Sequence, residues 1–227
     1  MLLFSAILFI GLASFVAWAS FNINSGVFLK AVCRNGKLEK GLLLTFDDGP
    51  HPVNTPEILD ILEKNNVKAV FFVTGSEVEK YPDILRMTSE KGHLIGNHSY
   101  SHSNFFPFFL KSTILSELEK TADIIGRITG KKTTCFRPPF GVTNPRIAYA
   151  AKKLNYVTVG WSVRSKDTVL KERGKVFSSV TGRIRGGDVI LLHDTVKGTV
   201  EMLDELIGYC KKEGFEFIEP EKFLPED

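Results

Sequence analysis

From about residue 41 onward, nearly continuous apolar runs alternate with longer segments whose apolar residues recur every three or four positions. The first pattern is typical of strands buried on both faces, and the second of amphipathic helices. The predicted strands cover residues 41–46, 67–73, 93–97, 133–139, 155–163, 188–194 and 215–220. The predicted helices cover residues 55–66, 82–92, 110–130, 144–154, 168–184 and 200–214. Gly174 is expected to interrupt the fifth helix.

The regular order of strand and helix, with short connections, predicts an α/β fold in which helices pack outside a mostly parallel sheet. About seven such units suit a barrel better than an open sheet, although the pattern alone is consistent with both. Residues 41–220 show neither an internal repeat nor an interdomain linker. We therefore predict one domain over 41–220, with residues 22–40 as a linker that leads into it.

Residues 1–21 contain no charged side chain, and the first charge in the chain is Lys30. A membrane-spanning helix needs about 20 apolar residues, so this segment is long enough to be a transmembrane anchor. It also fits a signal peptide, because Ala17-Trp18-Ala19 resembles a small-x-small cleavage site, although a basic amino-terminal region is missing. A buried core helix is the third alternative. We expect either a membrane-anchored protein with an extracytoplasmic catalytic domain or a protein exported after signal cleavage.

The composition is that of an ordinary globular protein, with 43% apolar residues and a formal net charge of +3. Basic and acidic residues are interspersed, so nothing indicates a nucleic-acid partner. The three cysteines are far apart and form no C-x-x-C pair, which favours free thiols over a disulfide framework. We expect a monomer.

Polar side chains with catalytic potential follow the predicted strands at the point where each strand ends. In parallel α/β folds the carboxyl ends of the strands meet at one edge, where active sites lie. The residues in these positions are Asp47, Asp48, His98, His102, Arg137, Trp161, Asp167, His193 and Asp194. Unrelated surface residues would not all fall on one edge, so the pattern predicts a functional site there.

A metal site is the chemistry that these residues favour. His98 and His102 are four residues apart, and on a helical turn such positions share a face. Together with Asp48 they resemble the three-ligand set of catalytic zinc, which leaves a coordination position for water. The metal would lower the pKa of this water towards about 7, and the neighbouring Asp47 would accept its proton. Two surface histidines without a role are the alternative interpretation.

The run "NFFPFFL", residues 104–110, is unusual directly after a candidate metal motif. Its aromatic residues are suited to stacking on sugar rings or to resting on a bilayer near the amino-terminal segment. In the simpler interpretation Pro107 begins a helix whose aromatic side chains pack inward.

Five short motifs occur in a fixed order: "TFDDG", "HSYSH", "RPPFG", "GWSVRSKD" and "LLH". Together they resemble the NodB-homology polysaccharide deacetylases, the enzymes of carbohydrate esterase family 4, over residues 40–220. The resemblance implies a distorted (β/α) barrel, in agreement with the alternation of elements. It also implies a metal-dependent hydrolase that removes acetyl groups from glycans.

The resemblance assigns roles to individual residues. Asp47 would be the catalytic base, and Arg137 would pair with it and orient it. His193, in "LLH", would be the general acid that protonates the departing amine. The implied metal ligands are Asp48, His98 and His102. The metal is expected to be zinc, although this ligand set also accepts cobalt, nickel or manganese.

The pocket and the fourth motif complete these implied roles. Trp161 and Leu191 would line the pocket for the acetyl methyl group, and the backbone N–H of Phe140 would help to hold the oxyanion. Many family members have D-x-x-D-W in the fourth motif, whereas this chain has Arg164 at the first position and Thr at the last. Asp167 remains to tune the acid histidine, and Arg164 would shift the pKa of that histidine in the opposite direction.

We therefore predict hydrolysis of acetamido groups on N-acetylated glycans, with peptidoglycan or a chitin-like oligosaccharide as substrate. The membrane is the second expected partner, through residues 1–21. Two alternatives stay open: an O-deacetylase that cleaves acetyl esters on a polysaccharide, and a glycan-binding protein that kept the fold and lost turnover.

Overall fold

The structure is a computed structural model of the 227-residue chain and describes residues 2–170 and 172–225. Met1, in the predicted segment 1–21, and Lys171, in the predicted helix 168–184, lie outside the described residues. The strands are β1 (Gly41–Asp47), β2 (Ala69–Val73), β3 (Leu94–Asn97), β4 (Cys135–Phe136), β5 (Val157–Thr158), β6 (Val163–Arg164), β7 (Val189–His193) and β8 (Glu216–Phe217).

Helices follow most of the strands and cover the outside of the sheet. They are α1 (Leu2–Phe21), α2 (Asn54–Lys64), α3 (Gly75–Lys80), α4 (Pro82–Glu90), α5 (Lys111–Thr129), α6 (Pro145–Lys153), α7 (Asp167–Leu170), α8 (Arg173–Thr181), α9 (Lys197–Lys212) and α10 (Pro220–Phe223). The short helix α3 was not predicted, because its six residues are too few to show a helical period.

The strands form one curved parallel sheet in the order β5-β4-β3-β2-β1-β7-β6, and β8 pairs with the start of β1. All seven residues of β1 are buried, since the strand lies between β2 and β7 with helices outside. Asp47, the last residue of β1, is in register with His193 at the end of β7. The predicted distorted (β/α) barrel is confirmed. Asp47 and His193 lie side by side at the carboxyl ends of neighbouring strands.

The run 155–163 is two strands rather than the predicted single strand. β5 lies at one edge of the sheet and β6 at the other, so residues 159–162 cross the gap between the two edges. Val32 forms a parallel bridge with Val159, and Arg34 forms an antiparallel bridge with Asp188 just before β7. Residues 32–34, in the segment predicted as a linker, thus pair with residues next to β5 and next to β7.

The fifth predicted helix is divided, but Gly174 does not divide it. α7 ends at Leu170 and α8 begins at Arg173, so Gly174 lies inside the first turn of α8. A glycine in a helix costs about 1 kcal/mol relative to alanine. Val176 and Val180 are fully buried, and their packing offsets this cost.

The aromatic run is only partly an inward-packing segment. Pro107 lies in a single 3-10 turn, and the long helix α5 begins later, at Lys111. Phe106 is fully buried, whereas Phe105 and Phe108 are about 70% exposed, at 69% and 71%. The simpler sequence interpretation is therefore right for one of these three rings and wrong for the other two.

The amino-terminal helix α1 projects from the barrel. The window Phe4–Phe21 has a mean hydropathy of 2.0, and only 6% of it is buried against the rest of the chain. By length and composition it is able to cross a membrane. The alternative of a buried core helix is wrong.

Candidate metal and catalytic site

The carboxyl ends of the strands surround a cavity of about 250 Å³. β1 contributes Asp47, β6 contributes Arg164, and β7 contributes Leu191 and His193. Thr168 lies in α7, and the other lining residues lie on loops or a 3-10 turn that follow strands. The residues that line the cavity are Asp47, Asp48, His98, His102, Phe140, Gly141, Trp161, Arg164, Thr168, Leu191 and His193. Most of the predicted site residues therefore meet in one place.

Asp48, His98 and His102 form a compact ligand set. Oδ1 of Asp48 lies 3.5 Å from Nε2 of His98 and 3.4 Å from Nε2 of His102. Tetrahedral ligands with bonds of about 2.0–2.1 Å to one ion lie about 3.3 Å from each other, so this spacing fits a single small cation. Nδ1 of His98 lies 2.7 Å from the carbonyl oxygen of Arg137. When Nδ1 carries the proton, its N–H donates to that oxygen, and Nε2 is free to coordinate a metal ion.

The two histidines lie on an irregular loop, not on the predicted helical turn. No helix is assigned to residues 98–102 among the described residues, and Ser99 and His102 have positive φ values of 68° and 46°. Asp48 also has a positive φ, 76°. Non-glycine residues in this region are strained, and such residues cluster at functional sites. The loop, rather than helical spacing, brings the ligands together.

The charges of the ligand set are strongly coupled. Burial raises the pKa of Asp48, but the hydrogen bond and positive charge of His98 outweigh it, so the net pKa lies well below the usual range. Burial lowers the pKa of His98, but Asp47 and Asp48 outweigh it and raise the pKa above the usual value. Burial and the adjacent His98 lower the pKa of His102 to about 4. A cation in this set would compete with a proton on His98.

Asp47 points to a different partner, the fully buried Arg137. Nη1 of Arg137 donates to Oδ1 of Asp47 at 2.7 Å and to the Thr45 hydroxyl at 2.8 Å. Nε and Nη2 donate to the backbone carbonyls of Val159 and Gly160 at 3.1 and 2.7 Å. Buried charges persist in proteins where they are paired and hydrogen-bonded, as here. The guanidinium thus fixes Asp47 in position beside the ligand set.

On the other side of the cavity, Asp167 holds His193. Its Oδ1 lies 2.7 Å from Nδ1 of His193, and its Oδ2 accepts from the His193 backbone N–H and the Thr199 hydroxyl, both at 2.8 Å. Burial lowers the pKa of His193, but Asp167 outweighs it and raises the pKa to about 9. Arg164 was expected to lower the pKa of His193, but the net shift of this pKa is upward. Arg164 is exposed, and its guanidinium lies 5.9 Å from the Trp161 ring.

Apolar side chains form the remaining wall of the cavity. Phe140 has a left-handed backbone, with φ of 60°, and its ring lies 4.7 Å from that of His102. Trp161 packs against Gly141, where a Cβ would lie 2.3 Å from the indole. Leu191, in β7, is almost completely buried and lines the same cavity.

With this geometry established, comparison with known proteins identifies the family. The family model described as "Polysaccharide deacetylase" matches residues 34–159, more than half of the chain. The chain belongs to the polysaccharide deacetylase family.

Similar proteins in this family come from bacilli. A peptidoglycan-N-acetylglucosamine deacetylase of Bacillus cereus is 37% identical over 77% of this chain, which spans 65% of that protein's length. A peptidoglycan-N-acetylmuramic acid deacetylase of Bacillus subtilis is 36% identical over 79% of this chain and 69% of its own. The crystal structure of a CE4 family pseudoenzyme from Bacillus anthracis matches 86% of this chain and 68% of its own, with a TM-score of 0.80 and 29% identity.

Two threonines support the site in this member of the polysaccharide deacetylase family and were not predicted from the sequence. Thr45 and Thr199 are fully buried, and each bonds one member of an ion pair. Thr45 is the first residue of the "TFDDG" motif, and its place in that motif was the one available signal. Thr199 lies six residues after His193 in α9 and carries no signal, since only the fold brings it to Asp167.

Proposed function

We propose that this chain hydrolyses acetamido groups on N-acetylated glycans of the bacterial cell wall, releasing acetate and a free amine. One observation carries the proposal. Two adjacent carboxylates differ in their nearest partners: Oδ1 of Asp48 lies 3.5 and 3.4 Å from two histidines, whereas Asp47 is held by Arg137 at 2.7 Å and lies 3.7 Å from His98. His193 faces the same cavity. The names of the similar proteins point to the same reaction class.

Asp48, His98 and His102 would hold a divalent ion, with zinc as our first choice and cobalt, nickel or manganese as alternatives. The bound ion would supply Lewis acidity, which activates water and polarises the acetyl carbonyl.

Asp47 acts as the base in this proposal. Water adds to the carbonyl carbon while Oδ2 of Asp47 accepts one of its protons; the other carboxylate oxygen stays bonded to Arg137. The fixed guanidinium keeps the accepting oxygen directed towards the cavity. The backbone N–H of Phe140 stabilises the negative charge that develops on the carbonyl oxygen.

His193 acts as the acid. With Nδ1 bonded to Asp167, its Nε2 is the atom that donates a proton to the nitrogen as the carbon–nitrogen bond breaks. A pKa of about 9 keeps the imidazole protonated at neutral pH, as the poor amine leaving group requires. Trp161 and Leu191 enclose the acetyl methyl group.

We further propose that α1 anchors the chain in a membrane or serves as its export signal, with the catalytic domain outside the cytoplasm. The length and apolar character of α1 support this location. Cell-wall glycan lies on that side of the bacterial membrane. The enzyme would act as a monomer, since the whole proposed site is built from one chain.

The decisive experiment measures acetate and free amine released from N-acetylglucosamine oligomers and peptidoglycan by the full chain in detergent. We expect activity that disappears on chelation and returns with zinc. Asp47→Asn should lower kcat by about 10²–10⁴-fold and keep metal binding, because only the proton acceptor is lost.

His102→Ala should lose both metal binding and activity, whereas His51→Ala should keep both. His51 is the matched control because its ring accepts from the Asn54 backbone N–H and does not line the cavity. Acetate without a new amine would indicate ester cleavage instead. Tight zinc binding without acetate release from any acetylated glycan would contradict the proposal and favour a glycan-binding protein.

A further inference from the structure

We call four exposed apolar side chains the apolar ledge: Phe105, Phe108, Leu110 and Phe140. Their exposed fractions are 69%, 71%, 70% and 47%. The first three lie within six residues of the chain, Phe108 and Phe140 line one groove, and Phe140 also lines the cavity. Outside α1, the described residues include only four other large apolar side chains with comparable exposure. Exposed apolar groups that gather in one patch mark interaction sites, whereas single ones are ordinary.

The ledge and the end of α1 line one groove. This groove of about 410 Å³ separates the two and is lined by Phe21 of α1 and by Phe108 and Phe140 of the ledge. Arg146 is the one charged residue among its lining residues. The groove therefore joins the apolar helix to the exposed rings without an acidic side chain between them.

The end of α1 is fixed to the catalytic edge of the barrel. The backbone N–H of Thr143 donates to the Ser20 carbonyl at 2.8 Å, and Ala19 is fully buried. Just after α1, the Asn24 side chain donates to the Trp161 carbonyl at 3.3 Å. Thr143 and Trp161 lie on loops after strands, at the edge that holds the cavity. α1 thus leaves the domain from the same side on which the cavity opens.

We propose that the apolar ledge is a membrane-docking surface that rests on the lipid bilayer entered by α1. The proposal depends on α1 remaining in the membrane, as proposed above. Since α1 is fixed to this edge, a bilayer around α1 brings its headgroup region to the ledge. Phe and Leu side chains of membrane-surface segments insert at the boundary between headgroups and acyl chains, and the ledge consists of these two residue types.

The charges at the border of the ledge fit an anionic bilayer. Arg146 donates to the Phe108 carbonyl at 3.2 Å, which holds its guanidinium at the ledge. Lys111 follows Leu110 directly, and its ammonium lies 4.1 Å from the centre of the Tyr149 ring. Basic residues near a bilayer surface are attracted to anionic headgroups.

Docking would set where the enzyme acts. Phe140 lines both the groove and the cavity that contains the proposed metal ligands. With the ledge on the bilayer, the cavity mouth faces the membrane surface. If the proposed function is right, its substrate is the glycan closest to the membrane.

The test uses the full chain in vesicles of phosphatidylcholine with a minority of phosphatidylglycerol. Phe108→Cys is labelled with an environment-sensitive fluorophore, and Asp60→Cys is the control. Cys33, Cys135 and Cys210 are buried and do not compete for the label. Asp60 is exposed on α2, and its carboxylate lies 3.6 Å from the ammonium of Lys91. Lys91 precedes β3, so Asp60 lies near the amino ends of the strands, whereas the cavity lies at their carboxyl ends.

We expect the vesicles to carry the protein on flotation, which tests α1 separately from the ledge. A lipid-borne quencher should then quench the label at residue 108 at least several-fold more than the label at residue 60. Adding Phe105→Ser and Leu110→Ser to the Phe108→Cys chain should reduce this difference, at an unchanged melting temperature.

Flotation with equal quenching at residues 108 and 60 would overturn docking and leave the anchor intact. Failure to float would overturn both. A label at residue 108 that responds to N-acetylglucosamine oligomers and not to the lipid quencher would also overturn docking, and would assign the ledge to sugar stacking. Acetate release in detergent is independent of all three outcomes and tests the proposed function on its own.

Discussion

Each side of the cavity holds a buried ion pair, but the acidic member faces the cavity on one side and the basic member faces it on the other. On one side Arg137 holds Asp47, and on the other Asp167 holds His193, with 2.7 Å between the paired atoms in both cases. A buried threonine hydroxyl supports the holding residue on each side. The functional group is the carboxylate on the first side and the imidazole on the second.

In the proposed mechanism, one kind of ion pair serves two different proton-transfer roles. An arginine stays charged at every pH at which proteins are folded, so it orients Asp47 while the carboxylate remains the proton acceptor. Asp167 instead stabilises the protonated form of His193 and raises its pKa to about 9. Arg137 therefore acts on Asp47 through its position, whereas Asp167 acts on His193 through both its position and its charge.

Arg137→Met should have the largest effect on stability. It leaves the Asp47 carboxylate buried without its cation, which costs about 3–5 kcal/mol. Urea unfolding of the chelated protein measures this loss. Arg137→Lys, which keeps the charge but loses the two bonds to the backbone carbonyls of Val159 and Gly160, should fold and retain part of the stability.

Arg164→Met is the matched control, because Arg164 lies at the same edge but is exposed. Equal unfolding free energies for Arg137→Met and Arg164→Met would mean that the buried pair contributes nothing to the folded state.

Asp167→Asn should move the alkaline limb of the pH profile. The pKa of His193 is raised in the folded protein, so its acid form is complete at low pH and is lost as the pH rises through about 9. Without the carboxylate the pKa should return towards about 6.5, and the protonated fraction at pH 8 falls about 30-fold.

The rate of acetate release against pH tests this change, and the NMR titration of His193 tests it without activity. Asp204→Asn, a surface carboxylate, is the control. An alkaline limb that stays at the parent's pH would show that Asp167 does not set the protonation of His193.

Substitution of the two threonines should have the smallest effects on stability. The two variants should also distinguish the Asp47 side of the cavity from the His193 side. Thr45→Val and Thr199→Val each remove one buried hydrogen bond to a charged group, at a cost of about 1–3 kcal/mol. Only Thr199→Val should change the pKa of His193, and we expect this pKa to rise, because the Asp167 carboxylate loses a competing donor and stabilises the imidazolium more strongly. Urea unfolding measures the first effect and NMR titration the second. Identical titration curves for the two variants would contradict the separation.

Much of the fold followed from apolar patterning. β1, β2 and β7 are buried along almost their whole length, and such strands appear in the sequence as continuous apolar runs. The run 155–163 looks the same locally, yet its two halves pair at opposite edges of the sheet. The difference depends on how the barrel closes, which neighbouring residues do not encode.

The motif residues were also predictable, because the carboxyl ends of parallel strands converge wherever the strands themselves are recognised. The loop that brings His98 and His102 to Asp48 was not, since its positive φ values follow from contacts in the folded chain. The role of Thr199 could not be predicted from the sequence either. It lies 32 residues from Asp167 along the chain, and only the folded position of α9 brings its hydroxyl to that carboxylate.

The sequence by itself thus determined the parallel strands, the family motifs and the chemical types available at one edge of the sheet. Tertiary structure alone decided three further features: that Thr45 and Thr199 support the two ion pairs, that an irregular loop carries His98 and His102, and that α1 leaves beside the cavity. The physical reason is distance. Backbone periodicity and residue type act over a few neighbouring positions, whereas hydrogen bonds and charges act between atoms that only the closed barrel brings within about 3 Å.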